Sequence, residues 1–575
     1  MIDFAIEPGA ASAALDTVFS QLDHLHFAEA LWARRLDVWT TEWAVQQVIA
    51  NRLGWLDVIE FITAHLARIE AFAKNVRGSG LTDVVLFGMG GSSLAPEVFH
   101  RVLGRADELP RFRMLDSTDP VAVRDALANA DTSLFVIASK SGTTIEPNSM
   151  AAAARRRVEA ALLKGWASRF VAITDENTDL HRRALNERFL DVFVNPSDIG
   201  GRYSALTFFG MVPAALMGIP LAPVVERTRA MVKACHSTDS KSNPGVALGA
   251  LMGAAATSGR DKLTLLVPDR LESFGLWVEQ LVAESTGKHG KGIVPIAGET
   301  TNAPAGDPSA GSGSSRVASR DDDRMAVVVR IDGEEGPDEQ AVDRMRAAGV
   351  PLMTINMPDV QALGAEFFRW EIATATAGRI LEINPFDEPN VQQAKDATQA
   401  LLQAYTTRGE LPIKEADSTR DGIRFALSRA ARKRLGANGV DRFFTLLAPR
   451  DYFALLAYLP PDNPVFDPLL REFRNRVAAE TRCATMFSYG PRYLHSTGQL
   501  HKGGPNNGVF LIITAPAEGD IPIPGAPYSF GVLEMAQALG DFQSLDDALR
   551  RVLHAHLPDR HPNTLRKLAD LISGR

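Results

Sequence analysis

Three stretches of this chain gather hydroxyls, backbone N–H groups and a carboxylate at spacings that chemistry can use. Ser139-Lys140-Ser141-Gly142-Thr143-Thr144 follows an apolar run ending at Ala138 and precedes a segment opened by Glu146-Pro147 that reads as a helix. Four hydroxyls and several N–H groups therefore surround one helix start. A plain helix cap needs a single hydroxyl. A phosphate monoester, whose three oxygens carry nearly two charges, needs a cradle of this kind. Gly88-Met89-Gly90-Gly91-Ser92-Ser93 leads into a second helix near Leu94-Ala95-Pro96. Its first glycines mimic a dinucleotide fingerprint, but Ser93 stands where that fingerprint has its last glycine, and no acidic residue follows at the required place. An oxygen-rich neutral or anionic ligand suits this loop better. Gln280 and Glu284 lie one helical turn apart, so both can face one cleft. The Thr286-Gly287-Lys288 that follows is not a nucleotide loop: that motif needs Gly at 282 and Ser or Thr at 289, where this chain has Val282 and His289.

The elements that must hold these loops alternate between strand and helix. Val84-Val85-Leu86-Phe87, Leu134-Phe135-Val136-Ile137 and Val171-Ala172-Ile173 are short apolar runs followed by Gly/Ser/Thr loops and amphipathic segments, the punctuation of βαβ units. Leu263–Val267 and Met325–Val329 bracket a helix expected from about Glu272 to Ser285, which makes a second α/β unit. Before these, residues 1–80 carry helical periodicity, as in Leu56, Ile59, Ile62, Leu66 and Ile69. Between Thr300 and Asp323 the composition falls to mainly Ala, Gly, Pro, Ser and Asp, which cannot bury a core and reads as a surface loop. Beyond Lys395 come a mostly helical stretch and then strands expected at Phe443–Leu447, Ala484–Phe487 and Val509–Thr514, enclosing a glycine-rich segment near His495.

Composition bounds the class. With 575 residues, 45% apolar and 23% charged, the chain has the make-up of a globular protein with room for three or four domains. A net charge of −8 offers no overall attraction to nucleic acid or to an anionic bilayer, so any anionic ligand must be bound locally. Cys235 and Cys483 are the only cysteines, too few for a disulfide framework or a thiolate zinc site, which fits a reducing compartment. The start, Met1-Ile2-Asp3 with Glu7 close behind, has no basic region of a secretory signal, and a cytoplasmic location is expected. The longest uncharged run, Tyr203 to Val225, is broken by Pro213, Pro220 and Pro223 and reads as a buried helix with its loop.

Taken together, Gly90-Gly91-Ser92, Ser139 to Thr144, Gly200-Gly201-Arg202-Tyr203-Ser204 and Glu284-Ser285-Thr286-Gly287-Lys288 stand in the order found in glucose-6-phosphate isomerases. The chain resembles that family from about Val84 to Lys395 and again around His495. More closely, it looks like the isomerase half of the bacterial transaldolase/glucose-6-phosphate isomerase fusion, with a preface before Val84 too short for the (β/α)₈ barrel of a transaldolase. The expected architecture is α/β: a helical preface (1–80), two sugar-isomerase-type three-layer αβα lobes with mainly parallel sheets (81–240 and 241–397), and a C-terminal α/β extension (398–575).

The resemblance implies roles residue by residue. Ser139, Ser141 and Thr144, with the Lys140 and Thr143 backbone, would hold a sugar phosphate; Gly91 and Ser92 would line the sugar. Glu284 would move a proton between C2 and C1 through a cis-enediolate, Arg202 would stabilise that charge, and Gln280 would support the base. His495 would open the sugar ring with Lys395 as its partner. A carboxylate is a competent base next to a carbonyl when a fixed guanidinium stabilises the enediolate. His suits ring opening because its ordinary pKa lies near the operating pH. Neither metal nor cofactor is required. Two departures stand out: Glu388 occupies a position where the family commonly has Gln, and the lysine segment precedes the histidine segment, whereas the ordinary enzyme has the reverse order and takes its histidine from the neighbouring subunit. With the order inverted, His495 is expected to complete the site within one chain, which makes an oligomer optional. Interconversion of glucose 6-phosphate and fructose 6-phosphate is the expected activity. A non-catalytic sugar-phosphate sensor, an isomerase acting also on mannose 6-phosphate, and docking to a separate transaldolase are the other readings the sequence leaves open.

Overall fold

The computed structural model describes residues 3–106, 108–162, 164–299, 322–412, 415–436 and 439–574. The Ala/Gly/Pro/Ser-rich run read as a surface loop lies, over residues 300–321, outside the described residues. The chain opens on a strand, β1 (Asp3–Glu7), and continues through helices Ser12–His24, Trp43–Ala50 and Val58–Arg77. The preface expected to be helical thus also carries one strand. β1 pairs antiparallel with a strand more than 340 residues away in sequence, Asp3 opposite Asn356 and Glu7 opposite Leu352. Its short alternation of half-buried and exposed residues is too weak a signal to stand out locally.

The first sheet comprises β2 (Asp83–Phe87), β3 (Arg111–Leu115), β4 (Ser133–Ala138), β5 (Phe170–Asp175) and β6 (Asp191–Asn195). All pairs are parallel, in the order β3-β2-β4-β5-β6. β2 and β4 are buried along their whole length, which is why they read as unbroken apolar runs: helices cover both faces. The connection from β2 goes to one side and that from β3 returns to the other, so β2 and β4 form a topological switch point. In open α/β sheets the crevice beyond the carboxyl ends of such a pair is where ligands bind, and both Gly/Ser/Thr loops leave the sheet there.

The second sheet holds β7 (Lys262–Leu266), β8 (Val294–Ile296), β9 (Arg324–Ile331) and β10 (Leu352–Met357), ordered β1-β10-β9-β7-β8 and parallel except for β1. Helix Glu272–Thr286 joins β7 to β8, close to its expected span. The third sheet is built from β11 (Ser418–Arg420), β12 (Ile423–Leu427), β13 (Tyr452–Tyr458), β14 (Ala484–Tyr489), β15 (Gly508–Thr514) and β16 (Arg551–His556). Its order is β11-β12-β16-β15-β13-β14, parallel from β16 to β14 and antiparallel at the β11/β12 edge. The strand expected at Phe443–Leu447 is instead part of a 3₁₀ segment, Val440–Leu446, in which Phe443 and Leu446 are buried three residues apart. The strand that fills that place is Tyr452–Tyr458, an unbroken apolar run that could equally have been a buried helix.

The fold is thus two αβα lobes with mainly parallel sheets, a preface and a C-terminal α/β extension. The uncharged run Tyr203–Val225 forms the fully buried helix Phe208–Leu216 and the start of the helix Leu221–Ala234. Among the described residues, no helix is long and apolar enough to cross a membrane.

Candidate active site

Apart from Lys395, whose helix Val391–Arg408 follows another helix, each candidate side chain sits beyond the carboxyl end of a strand or on the helix that follows one. The turn Gly90–Ser92 follows β2, and its glycines are demanded by close approach. A Cβ on Gly91 would lie 2.0 Å from the Gly201 carbonyl oxygen; one on Gly90, whose φ is +55°, would lie 2.4 Å from the His495 oxygen and 2.8 Å from Gln280 Nε2. Four segments far apart in sequence therefore meet at this turn. Ser92 is nearly buried beside Gly91.

The hydroxyl loop follows β4. Ser139 Oγ lies 3.0 Å from Thr144 Oγ1, Ser141 Oγ lies 3.0 Å from Thr143 Oγ1, and the Thr143 N–H donates to Ser141 Oγ at 3.3 Å. The hydroxyls are thus clustered at the start of helix Ile145–Leu162. The Lys140 ammonium turns away from them, donating to the Asp175 carboxylate and, at 2.9 Å, to the Ser197 carbonyl. Only its backbone remains on the loop.

Arg202, in the turn Gly201–Tyr203 after β6, is 3% exposed and fully engaged. Its Nε donates to Ser285 Oγ at 2.7 Å, and Nη2 donates to the Pro385 and Asp387 carbonyls at 2.9 and 3.0 Å. Nη1 stands between two carboxylates, 2.9 Å from Glu388 Oε2 and 3.4 Å from Glu284 Oε1. Glu284 lies near the end of helix Glu272–Thr286, and Gln280, one turn earlier, donates Nε2 both to Glu284 Oε2 at 3.0 Å and to the His495 carbonyl at 2.8 Å. Burial raises the Glu284 carboxyl above its ordinary value; the Arg202 charge opposes that and Glu388 reinforces it. At Glu388 burial pushes the same way but is outweighed by Arg202, which holds this carboxyl below the usual range.

His495 closes the turn Arg492–His495 beyond β14, and its Nε2 lies 2.9 Å from Glu146 Oε1. Glu146 also accepts from Gln537 Nε2 at 2.7 Å, and Gln537 Oε1 in turn accepts from Thr118 Oγ1 at 2.8 Å. Burial raises the Glu146 carboxyl, yet the His495 charge and hydrogen bond outweigh it and leave the pKa lowered, so the carboxylate stays ionised beside the imidazole. Lys395, on the exposed side of helix Val391–Arg408, lines a cavity of about 860 Å³ with Ser141, Thr143, Thr144, Glu146 and His495. Glu284, Arg202, Gly91 and Ser92 stand outside that cavity's walls, and the Gln280 bond to the His495 carbonyl links the two groups.

Several members of this cluster escape a reading of the sequence. Glu146 looks like an acidic residue complementing a helix N-terminus, a common and undemanding role; its contact with His495 spans 349 positions. Gln537 and Thr118 carry no local signal at all. Lys288, which matches a motif, turns out to brace the loop carrying Glu388: its Nζ donates to the Asn384 carbonyl at 2.7 Å and to Asp387 Oδ1 at 2.6 Å. Burial lowers its pKa to about 8, against the pull of Asp387.

The family model described as phosphoglucose isomerase matches residues 51–313. A glucose-6-phosphate isomerase of Prochlorococcus marinus (strain MIT 9313) is 31% identical over 380 residues, 60% of this chain and 69% of that protein. Another, from Synechococcus sp. (strain CC9902), is 30% identical over 379 residues, 59% of this chain and 71% of the relative. Among solved structures, a hypothetical protein from Thermus thermophilus shares the fold with a TM-score of 0.57 at 22% identity, covering 69% of this chain and 99% of its own. On sequence similarity across most of the length of the first two relatives, this chain belongs to the glucose-6-phosphate isomerase family.

Proposed function

We propose that the chain interconverts glucose 6-phosphate and fructose 6-phosphate by proton transfer through a cis-enediolate, with every catalytic group supplied by one polypeptide. The observation that carries this reading is the Gln280 side chain, which bonds at once to Glu284 and to the backbone of His495 and so joins base and ring-opening residue in one chain. The hydroxyl loop of Ser139, Ser141, Thr143 and Thr144, with the Lys140 N–H, receives the phosphate at a helix start. His495, donating Nε2–H to the Glu146 carboxylate, keeps the Nδ1 lone pair to move the proton between the C1 hydroxyl and the ring oxygen. Lys395 flanks the same cavity with a positive charge. In the open-chain sugar Glu284 removes the proton at C2 and returns it at C1 while the hydroxyl proton passes from O2 to O1, and the Arg202 guanidinium, buried and fixed by four hydrogen bonds, stabilises the enediolate charge. Gly91 and Ser92 bound the sugar side.

A coupled assay supplying each sugar phosphate in turn tests the reading. Turnover in both directions is expected; binding of either without turnover would favour a sensor, and turnover of mannose 6-phosphate as well would widen the substrate range. Co-sedimentation with a bacterial transaldolase tests whether such a partner docks.

A further inference from the structure

Arg202 Nη1 faces two carboxylates, and the nearer is not the one that removes the proton. Glu388 Oε2 lies 2.9 Å away and Glu284 Oε1 3.4 Å away. The Nε and both Nη2 N–H groups are spent on Ser285 Oγ and on two backbone carbonyls, so the two carboxylates share Nη1, and the shorter contact goes to Glu388. The two carboxylates also differ in surroundings: the Glu284 side chain is 12% exposed, that of Glu388 40%. Resting on the isomerase reading above, we infer that Glu388 is a positioning residue for the proton transfer, holding Arg202 partly away from Glu284 so that Glu284 is a stronger base than a full Arg202 pair would allow.

The charged groups around the pair set the sign. Glu284 is faced by Arg202 from the turn after β6, by Glu388 from the loop following helix Leu363–Ile380, by His495 from the third sheet, and by Gln280 from its own helix. Glu388 is faced by Arg202, Lys288 and Arg52. Removing the Glu388 charge deletes a carboxylate that faces Glu284 and weakens the competing claim on Nη1. Both changes favour ionised Glu284 and lower its proton affinity. The Glu388 loop is itself held: Lys288 anchors Asp387, and Gln499 Oε1 accepts from the Asn390 N–H at 2.8 Å, so the loop's own anchors present this carboxylate to Arg202.

The test compares wild type with Glu388→Gln, Glu388→Ala and Glu388→Asp. The acid limb of the kcat/KM profile should move to lower pH by about one unit or more in the Gln and Ala variants, and return toward wild type in the Asp variant, which restores the charge. An unmoved limb in active Gln and Ala variants, or an Asp variant that behaves like the Gln variant, overturns the inference. A second readout does not need turnover. In protein carrying ¹³C-labelled Glu side-chain carboxyls, the Glu284 resonance, assigned by its loss in Glu284→Gln, should titrate lower in Glu388→Gln and Glu388→Ala than in wild type. No change there overturns the inference whatever the kinetics. A wild-type chain that turns over neither sugar phosphate defeats the isomerase reading, and the resonance still decides the coupling.

Discussion

Glu284 has an amide neighbour, a guanidinium at the edge of hydrogen-bond range and a competing carboxylate, so its protonation is set by burial against partial pairing. A base must be ionised to act, and a carboxyl raised by burial loses activity as pH falls through that raised value, earlier than an exposed glutamate would. Glu284→Gln keeps size and polarity but removes the proposed base; kcat should fall by about 10² or more with little change in KM, and a kcat within a few-fold of wild type would sink the assignment. The hydroxyl loop makes a separate prediction. Each hydrogen bond to an ionised oxygen contributes roughly 1.5–3 kcal/mol before solvent compensation. Ser141→Ala with Thr144→Ala should therefore weaken competitive inhibition by inorganic phosphate by about tenfold or more, together with a rise in KM. Unchanged inhibition would leave the loop as a helix cap and nothing else.

At the scale of elements, helix Glu272–Thr286 carries both Glu284 and a second buried carboxyl, Glu279, 3% exposed and accepting the Ala297 N–H at 3.3 Å. Burial pushes Glu279 up to about 8, with Arg474 pulling the other way. A carboxyl raised above its unfolded value of 4.5 stabilises the fold fully below that value, and the contribution is lost as pH rises toward about 8. At about 1.4 kcal/mol per unit this is on the order of 5 kcal/mol. Glu279→Gln should stay folded and flatten the loss of thermal stability between pH 5 and 8; a mutant as pH-sensitive as wild type would refute the assignment. The same helix illustrates what a sequence discloses. Its span, the i, i+4 pair Gln280 and Glu284, and the loops after β2 and β4 are local patterns and were legible. β1 and β11 were not, because β1 pairs with a strand more than 340 positions away and β11 is a three-residue edge strand with no fully buried position. Phe443–Leu447 misled because the adjacent Phe443 and Phe444 favour strands, whereas burial at positions three apart and Pro449 shortly after suit a tight helical turn. Glu146, Gln537 and Thr118 escaped for the same reason as β1: their roles are set by partners more than 340 positions away.

On the scale of the whole molecule, the third sheet brings His495 and Gln537 to a crevice whose other walls belong to the first two lobes. Arg492 pairs with Asp116 at 2.7 Å and with Glu97 at 3.2 Å, Arg560 with Asp119 at 2.6 Å, and Gln499 bonds to the Gly287 carbonyl at 2.8 Å. These buried contacts tie the extension to both lobes, and breaking one partner of a buried pair is costly. Ninety-nine residues separate Lys395 from His495, chain enough to build a sheet and return over the same cleft. A site completed within one chain does not need a second copy, so specific activity should stay flat on dilution below any dimer dissociation constant measured by sedimentation. Mixing sharpens the prediction. Inactive Glu284→Gln chains are combined with inactive His495→Ala chains under conditions that allow subunit exchange. If each site borrowed its histidine from a neighbour, random pairing would put half the chains in mixed dimers, each with one intact site of two, and about a quarter of the activity would return. Completion in cis leaves every chain carrying its own defect, and no activity returns at any ratio or incubation time.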